Sequence, residues 1–295
     1  MNFFTVFHRI LFFIILTGFS QSAPVGGNRK SLGMDDSTDL TEFIEKYKFE
    51  DYKIVLGDIM ESISATASSL SFKNAIVDNQ RLWNPKKAIP VAVQQSFPKE
   101  MKDEIETALN DIQNHTCLRF KNAEKDDNRT GVLVFIDGPG CSSFVGYQGG
   151  FQQIVMNSSA CRCAGTAVHE TMHALGFAHE QVRSDRDDYV EILTDNIIKE
   201  YIGNFEKLSP DQNRLLTAYD YDSIMHYPGD AFSKSSGLKT IQPKKKGVKL
   251  LNSCVKGKLS KLDIVKINKL YNCTSYLDGT KNPGKDVKPF VIRRT

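Results

Sequence analysis

The sequence predicts an α+β protein. Three short apolar runs have strand character and several longer stretches have helical periodicity, and most of them lie between residues 88 and 270. The 295 residues are 40% hydrophobic and 25% charged, which is ordinary for a globular protein and excludes collagen, coiled coil or general disorder. The formal net charge of +3 lacks the basic excess of nucleic-acid-binding proteins, so no nucleic-acid partner is expected.

The predicted elements follow from local patterns. The strands are short β-branched or apolar runs such as AIPVAV and GVLVFI. Pro98 suits the first turn of a helix, Gly176 ends the central helix, and Ser260 with Asp263 forms a capping pattern for the last one. In order, the sequence predicts strands at 88–93, 131–136 and 152–156 and helices at 98–113, about 163–175, 194–205 and 260–270.

The N-terminus has the pattern of a secretory signal peptide. The apolar run from Ile10 to Phe19 is about ten residues long, whereas a membrane span needs about 20. Arg9 supplies a basic flank and Ala23 ends a small, polar exit, so residues 1–23 are predicted to be removed. The alternative is an uncleaved anchor. The product is expected to be secreted and extracellular, with no membrane segment after removal of the signal.

Residues 24–73 form a segment of different character. They hold six basic and nine acidic residues and few large apolar ones, so this stretch cannot build a core alone. A short helix is expected at 40–47. The segment is interpreted as a pro-segment, with a disordered linker as the alternative. At the other end, residues 274–295 hold five basic and two acidic residues with several Pro and Gly, and a flexible basic tail is expected.

Cysteines and sequons agree with secretion. Six cysteines in an oxidising compartment allow three disulfides, and spacing alone does not choose among the 15 pairings. A zinc knuckle at Cys161–Cys163 is the weaker alternative, because a second close pair is missing. Four N-x-S/T sequons are potential glycan sites, at Asn114, Asn128, Asn157 and Asn272.

Residues 169–179 read HETMHALGFAH and contain the candidate metal ligands and general base. His169 and His173 share one face of a helix, so both imidazoles can bind one metal ion. Glu170 is placed to hold a water as general base, and Gly176 lets the chain turn so that His179 becomes the third ligand. Three nitrogen ligands with one open position are typical of a catalytic zinc site with one Zn²⁺ per chain.

The later motif Ser223-Ile-Met-His-Tyr227 resembles the Met-turn of the metzincin proteases, with Met225 as an apolar floor beneath the histidines. After His179 the sequence EQVRSDRD is similar to the extended signature of the astacin family of zinc metalloendopeptidases. The resemblance covers residues 74–273, the expected catalytic domain. It implies a metzincin fold with a cleft between a sheet-and-helix lobe and a mostly irregular lobe.

The resemblance also implies roles for further residues. Tyr227 would be an additional zinc ligand that swings away to stabilise the tetrahedral intermediate. The segment from Asn74 to Trp83, NAIVDNQRLW, resembles the mature N-terminus of the family. This implies a zymogen that a trypsin-like protease cleaves after Lys73, so that the freed ammonium of Asn74 reaches Glu180 directly or through water. Asp58, in Val55-Leu-Gly-Asp58, occupies the place of the pro-segment aspartate that caps the zinc, although the family has Phe where Val55 stands. The alternative for Asp58 is a solvated turn.

Further implications concern the sheet, the disulfides and the partners. Residues 152–156 resemble the edge strand along which an extended substrate pairs. The resemblance implies the disulfides Cys117–Cys273 and Cys141–Cys161, which leaves Cys163 and Cys254 for a third bridge, and an exchange of Cys161 with Cys163 stays open. Substrates would be proteins or peptides, and the enzyme a monomer of the minimal secreted type, digestive or hatching. A catalytically dead binding module on the same fold is the alternative.

Overall fold

The structure is a computed structural model whose described residues all belong to one compact unit. Among the described residues, no helix combines the length and the apolar character that crossing a bilayer requires. The predicted signal peptide, Asn74 and most of the helix expected at 40–47 lie outside the described residues. The structure describes residues 42, 44, 52–62, 78–281, 284 and 287–294.

Seven strands form the main sheet. In chain order they are β1 (Tyr52–Val55), β2 (Ile59–Ser62), β3 (Ile89–Val93), β4 (Phe120–Asn122), β5 (Val132–Ile136), β6 (Cys141–Phe144) and β7 (Phe151–Met156). Across the sheet the order is β1-β2-β6-β7-β5-β3-β4. The pairs β3–β4, β3–β5 and β5–β7 are parallel, whereas β6 runs antiparallel to β7. The strands expected at 88–93, 131–136 and 152–156 are confirmed.

Residues 152–156 were expected at the sheet edge, and this is wrong. They belong to β7, which pairs with β5 on one side and with β6 on the other. The strands that follow residue 78 have β6 at one edge and β4 at the other, and the hairpin β1–β2 covers the β6 edge. Strand β2 pairs in parallel with β6, so that Ile59 lies opposite Ser143 and Met60 opposite Phe144. A segment too poor in apolar residues for its own core thus extends the sheet formed by the residues after 78.

Helices pack beside this sheet, and the longer ones share the main core with one of its faces. They are α1 (Lys99–His115), α2 (Ala164–Ala174), α3 (Ser253–Lys256), α4 (Lys261–Leu270) and α5 (Thr274–Leu277). The five apolar side chains of the predicted helix at 98–113 are all buried in α1, and α1 packs against α2. Burial of such a face supplies most of the stability of a helix within a protein. The predicted helices at 98–113, 163–175 and 260–270 are confirmed within two residues at each end.

Strand β5 lies between two apolar layers. Leu133 and Phe135 join the main core beneath the helices, whereas Val132 and Val134 face a smaller cluster that includes Ile44. Alternate residues of a strand point to opposite faces, so both faces of this run are covered by apolar side chains. Ile44 therefore covers part of the second face of the sheet, and the β1–β2 hairpin covers one of its edges.

The C-terminal half is mostly irregular. It contains short 3₁₀ turns and a two-stranded sheet of β8 (Val190–Ile192) and β9 (Ile241–Pro243). The helix expected at 194–205 is wrong, because two 3₁₀ segments, Thr194–Asn196 and Lys199–Phe205, replace it. Between them the N–H of Ile198 donates to the carbonyl of Phe232 across the chain, so it does not continue a helical ladder.

The tail expected to be flexible is ordered over residues 287–294. Phe290 and Ile292 are buried in the main core, while Val291 between them is exposed. Asn110 of α1 makes two hydrogen bonds to the backbone of Phe290, donating through Nδ2 at 2.9 Å and accepting through Oδ1 at 2.7 Å. Asn122 of β4 likewise contacts the backbone of Val291 and residue 293. Packing against α1 outweighs the effect of the Pro and Gly residues that precede this stretch.

Three disulfides tie the unit together, and no described cysteine is free. Cys117–Cys273 links the end of α1 to the end of α4, and Cys141–Cys161 links β6 to the loop before α2. Cys163–Cys254 joins the first residue before α2 to α3. These are the pairs that the resemblance implies together with the bridge left over for the remaining two cysteines.

Candidate metal centre

Two histidines on α2 and one beyond it converge. His169 and His173 are one turn apart on the buried helix. Gly176 follows the helix with a φ of +103°, which glycine adopts without a steric penalty. The N–H of Phe177 then donates to the carbonyl of Met172 at 3.1 Å, which completes the helix end and sends the chain back. His179 comes to lie beside the other two imidazoles.

The C-terminal end of α2 is fixed by two side chains from other parts of the chain. The indole Nε1 of Trp83 donates to the carbonyl of Ala174 at 2.9 Å. The hydroxyl of Tyr271 donates to the carbonyl of Leu175, also at 2.9 Å. Both contacts satisfy carbonyls that lack a partner within the helix. The turn that carries His179 therefore starts from a rigid support.

The three imidazoles and the carboxylate of Asp58 form one cluster, and their ligand atoms all lie within 4.8 Å of one another. Nε2 of His169 is 3.1 Å from Nε2 of His173. Asp58 Oδ1 lies 2.9 Å from Nε2 of His179 and 3.3 Å from Nε2 of His173, and its Oδ2 lies 3.2 Å from Nε2 of His169.

Backbone carbonyls set the tautomers of two histidines. Nδ1 of His169 donates to the carbonyl of Ile224 at 2.8 Å, and Nδ1 of His173 donates to that of Phe177 at 2.7 Å. A carbonyl can only accept, so each Nδ1 carries the proton and each Nε2 presents a lone pair to the cluster. Two facing lone pairs 3.1 Å apart repel unless a cation lies between them.

The donor set fits one zinc ion. Zinc binds imidazole nitrogen at about 2.0–2.1 Å in tetrahedral geometry, which places neighbouring ligand atoms about 3.3 Å apart. The separations of 2.9–3.3 Å among the Nε2 atoms and Asp58 match this spacing. Burial lowers the pKa of His173 to about 4 and lowers the pKa of His179, so both imidazoles are neutral at pH 7, the form that binds metal.

Asp58 reaches the cluster from the turn of the β1–β2 hairpin. Its side chain is about one-fifth exposed. Burial raises the pKa of Asp58, but the imidazoles around it, His179 first, outweigh burial and hold this pKa well below the usual range, so the carboxylate is ionised and can act as a metal ligand. Its backbone carbonyl accepts from the N–H of Ser143 in β6 at 3.0 Å. The backbone of Asp58 is thus held by the sheet while its side chain contacts the histidines, so the two contacts fix the same turn.

Glu170 lies next to His169 on α2 and is almost completely buried. Burial and then the negative charge of Asp58 raise its pKa well above the usual value. Its Oε2 has no hydrogen-bond partner among the described residues. An unpaired buried carboxyl oxygen costs stability, and such costs are concentrated at functional sites.

Tyr227 stands beside the third histidine, and the centroid of its ring lies 4.4 Å from that of His179. Its hydroxyl donates to the carbonyl of Leu56, at 2.5 Å, rather than to a group of the cluster. Burial, then the charges of Asp58 and Glu170, raise its pKa well above the usual value. In this state the tyrosine is bound to the hairpin.

Met225 and Glu180 meet behind the cluster. Met225 is buried in the main core, and its carbonyl accepts from the N–H of Glu180 at 3.0 Å. The carboxylate of Glu180 is not vacant, because Arg183 and Lys266 bind it at 2.8 and 2.7 Å. Asn74, expected to provide its partner, lies outside the described residues.

The sequons are distributed over the surface. Asn114 is in the last turn of α1 and is half-buried, and Asn272 is exposed. Asn157 uses its side-chain oxygen to accept from the N–H of Ser159 at 3.0 Å, and its Nδ2 donates to a loop carbonyl at 3.1 Å. The side chain of Asn128 is outside the described residues.

Sequence reasoning missed charged residues that support the site from α4. Asp263 accepts from the hydroxyl of Ser223 at 2.6 Å and the N–H of Ile224 at 2.7 Å, and so holds the turn whose carbonyl orients His169. Lys266 holds Glu180. The available signal was their spacing: positions 263, 266, 267 and 270 share the inward face of a helix, where charged side chains need buried partners.

Comparisons with a family model and with known proteins identify the same protein family. A family model described as astacin, a peptidase family, matches residues 75–272. The chain is 39% identical over 202 residues to zinc metalloproteinase nas-4 of Caenorhabditis elegans, and the match covers 68% of this chain and 62% of that protein. It is 39% identical over 189 residues to high choriolytic enzyme 1 of Oryzias latipes, with 63% and 66% covered.

The fold agrees with a solved structure. High choriolytic enzyme 1, a hatching enzyme zinc-protease of the medaka fish, superposes with a TM-score of 0.58 at 34% identity, and the match covers 72% of this chain and 100% of that chain. The matches span just under two thirds of the length of these two curated relatives. Since the family model covers most of the chain and the three histidines stand together in the metal centre, the chain belongs to the astacin family and has its α+β metzincin fold.

Proposed function

We propose that the chain is a zinc endopeptidase that hydrolyses peptide bonds in proteins or peptides. One observation carries the proposal: three buried imidazoles present their Nε2 atoms to one point, and the adjacent Glu170 has a carboxyl oxygen without a partner among the described residues. A structural metal site would be closed by a fourth residue of the mature domain. Here the fourth group, Asp58, comes from the segment proposed to be removed.

Each residue has a distinct role in the proposed reaction. Bound zinc supplies Lewis-acid activation of a water molecule and of the substrate carbonyl. Glu170 accepts the proton of the attacking water and delivers it to the leaving amine nitrogen. Tyr227, released from Leu56, donates a hydrogen bond to the substrate oxygen as negative charge develops there.

The precursor is proposed to be held inactive by its own hairpin. Asp58 occupies the ligand position, Leu56 binds the hydroxyl of Tyr227, and β2 pairs with β6. The first blocks the metal, the second removes the oxyanion donor and the third covers the strand edge that an extended substrate would use. Cleavage after Lys73 by a trypsin-like protease would release all three at once.

The processing scheme is proposed as a whole. Residues 1–23 are a signal peptide, 24–73 a pro-segment and 74–273 the catalytic domain of a secreted, extracellular monomer. The relatives named as hatching enzymes and the three disulfides support an extracellular role. N-terminal sequencing of material secreted before and after trypsin treatment tests both cleavage positions, and a mature product that does not begin at Asn74 would reject the second.

Replacement of the base tests the reaction. Glu170→Gln keeps the size of the side chain but cannot accept the proton, so the trypsin-treated variant should bind one zinc per chain and lose at least about 10³-fold in peptide cleavage. Elemental analysis and a quenched-fluorescence peptide assay measure the two quantities. Glu191→Gln, an exposed position on β8, is the matched control and should retain full activity. Peptide cleavage at the normal rate by zinc-loaded Glu170→Gln would refute the role of Glu170 as the base. No peptide cleavage by the zinc-loaded, trypsin-treated wild type would favour the catalytically dead binding module.

A further inference from the structure

A small apolar cluster lies where the β1–β2 hairpin meets the metal centre. Its five buried side chains are all aliphatic, and one of them, Ile59 of β2, is completely buried. The other four belong to the part of the chain that follows residue 78, and together they are here called the Ile59 pocket. They are Val145, Ala178, Val182 and Leu208.

The Ile59 pocket adjoins two of the metal-binding histidines. Ala178 directly precedes His179 in the chain. On the other side, Val145 directly follows β6, and the N–H of the next residue, Gly146, donates to the carbonyl of His173 at 2.8 Å. A side chain held in this pocket therefore lies beside the metal centre.

Ile59 enters the pocket from a strand that is paired with β6. It directly follows Asp58, whose carboxylate belongs to the metal-ligand cluster. Its backbone lies opposite Ser143 of β6. A peptide that adds to a sheet edge gains affinity from its main chain and specificity from pockets for alternate side chains. A substrate that takes the place of β2 would thus direct a side chain into the pocket close to the bond that is cleaved.

The walls of the pocket are held by contacts that do not involve the hairpin. The carbonyl of Val145 accepts from Nε2 of Gln148 at 2.9 Å. The carbonyl of Val182 accepts from the N–H of Leu208 at 2.8 Å. Departure of the hairpin removes neither contact, so the pocket is built into the part of the chain that is proposed to remain.

Space for a longer side chain lies next to the cluster. A cavity of about 450 Å³ is lined by Leu56 of the hairpin and by Leu208 of the pocket, among other residues. Asn204 also lines it, and its Nδ2 is buried without a hydrogen-bond partner among the described residues. Such an unpaired donor calls for an explanation, and a substrate carbonyl beside the pocket would provide its acceptor.

We propose that the Ile59 pocket, once the hairpin has left, receives an aliphatic side chain of the substrate within two residues of the cleaved bond and so selects the peptide bonds that are hydrolysed. This inference rests on the proposed function. Departure of Ile59 exposes four aliphatic side chains to water, and an aliphatic substrate side chain restores their burial. A polar side chain would lose its hydrogen bonds with water there without gaining others.

A peptide series tests the preference. Trypsin-treated wild type is given quenched-fluorescence peptides that carry leucine, asparagine of similar size, or the smaller alanine at one of the two residues on either side of the cleaved bond. At one of these positions we expect kcat/KM for the leucine peptide to be at least about tenfold higher than for the other two. No such preference at any of the positions would overturn the proposal.

Variants of the pocket show whether it causes the preference. Leu208→Asn and Val145→Thr each make one wall polar at nearly constant size, and each should lower the leucine-to-asparagine ratio of kcat/KM at least about fivefold. A general loss of folded or zinc-loaded enzyme would not change this ratio. Leu215→Asn, at an exposed leucine outside the cluster, is the matched control and should keep the wild-type ratio.

The wild-type ratio in folded Leu208→Asn and Val145→Thr would reject the pocket as its cause. Should Leu208→Asn not fold, Val145→Thr, which exchanges one methyl group for a hydroxyl, decides alone. The two proposals fail in different ways. If the chain were not a peptidase, the zinc-loaded, trypsin-treated wild type would cleave none of the peptides, and both proposals would fall. If only the pocket were misassigned, peptides would be cleaved and the ratio would be the same in the wild type and in the pocket variants.

Discussion

Gly57 is the residue at which the proposed latency of the precursor can be tested most sharply. It lies between Leu56, which accepts from Tyr227, and Asp58, which contacts the histidines. Its φ is +93°, and a Cβ placed there would lie 2.2 Å from the hydroxyl oxygen of Tyr227. Alanine at this position must therefore displace either the hairpin or the tyrosine.

The size of the effect follows from two contributions. A non-glycine residue at positive φ costs about 1–2 kcal/mol. Loss of the Tyr227–Leu56 hydrogen bond removes about 1 kcal/mol more. Together, about 2–3 kcal/mol favours the open hairpin, which raises its population relative to the closed form about 30- to 150-fold.

Uncleaved Gly57→Ala should consequently cleave a quenched-fluorescence peptide about 30- to 150-fold faster than the uncleaved wild type. After trypsin treatment and inhibition of the trypsin, both proteins should have the same rate, because the hairpin has left. The matched control is Gly237→Ala, whose φ of +84° carries the same backbone cost but whose Cβ would meet nothing within 4 Å. A Gly57→Ala precursor as silent as the wild type, with normal activity after trypsin, would refute this account of latency.

Two further predictions concern the C-terminal half. Phe290→Ala should lower the free energy of unfolding by about 3–5 kcal/mol in denaturant titrations, because its ring is buried in the main core. Val291→Ala, at an exposed position, is the control and should change it by less than about 0.5 kcal/mol. Equally small effects of both substitutions would mean that the tail does not pack in solution. Burial lowers the pKa of Lys256 to about 8 from an ordinary 10.5, so the unfolded chain binds more protons between these values. The stability of the wild type relative to Lys256→Met should then rise by up to about 1.4 kcal/mol per pH unit from pH 8 towards 10.5, and a flat difference would contradict the burial of a charged amine.

Features set by neighbouring residues were predictable from the sequence, and features set by distant ones were not. The capping box of Ser260 and Asp263 and the helix end at Gly176 are local, and both were found. The three histidines were found because a helix followed by a glycine turn places them in one region without reference to the rest of the chain.

Order within the sheet depends on distant pairing. Nothing in residues 151–156 indicates that β6, which precedes β7 in the chain, pairs on its outer side. The tail was misjudged for the same reason, since Phe290 and Ile292 find their partners on α1 nearly two hundred residues earlier. The Pro and Gly content of residues 274–295 suggested a flexible tail, but composition cannot show which distant residues Phe290 and Ile292 contact.

The role of Lys266 shows a different limit. Its side chain lies on the apolar face of α4, where a charge is unfavourable unless it is paired. The pattern therefore predicts that a partner exists but not which one. Glu180 is 86 residues away, and only the folded chain shows that they meet.

Covering of β6 by the hairpin also bears on how the protein can be stored. While β2 pairs with Ser143 and Phe144, the edge strand at this end of the sheet, among the described residues, is β1. It is four residues long and bears Lys53, features that discourage other chains from adding to it. Departure of the hairpin would leave the backbone of β6 open to any extended polypeptide, including a second copy. Concentrated stocks should accordingly stay dispersed as precursor and begin to self-associate once activated, unless a peptide inhibitor occupies the vacated rim.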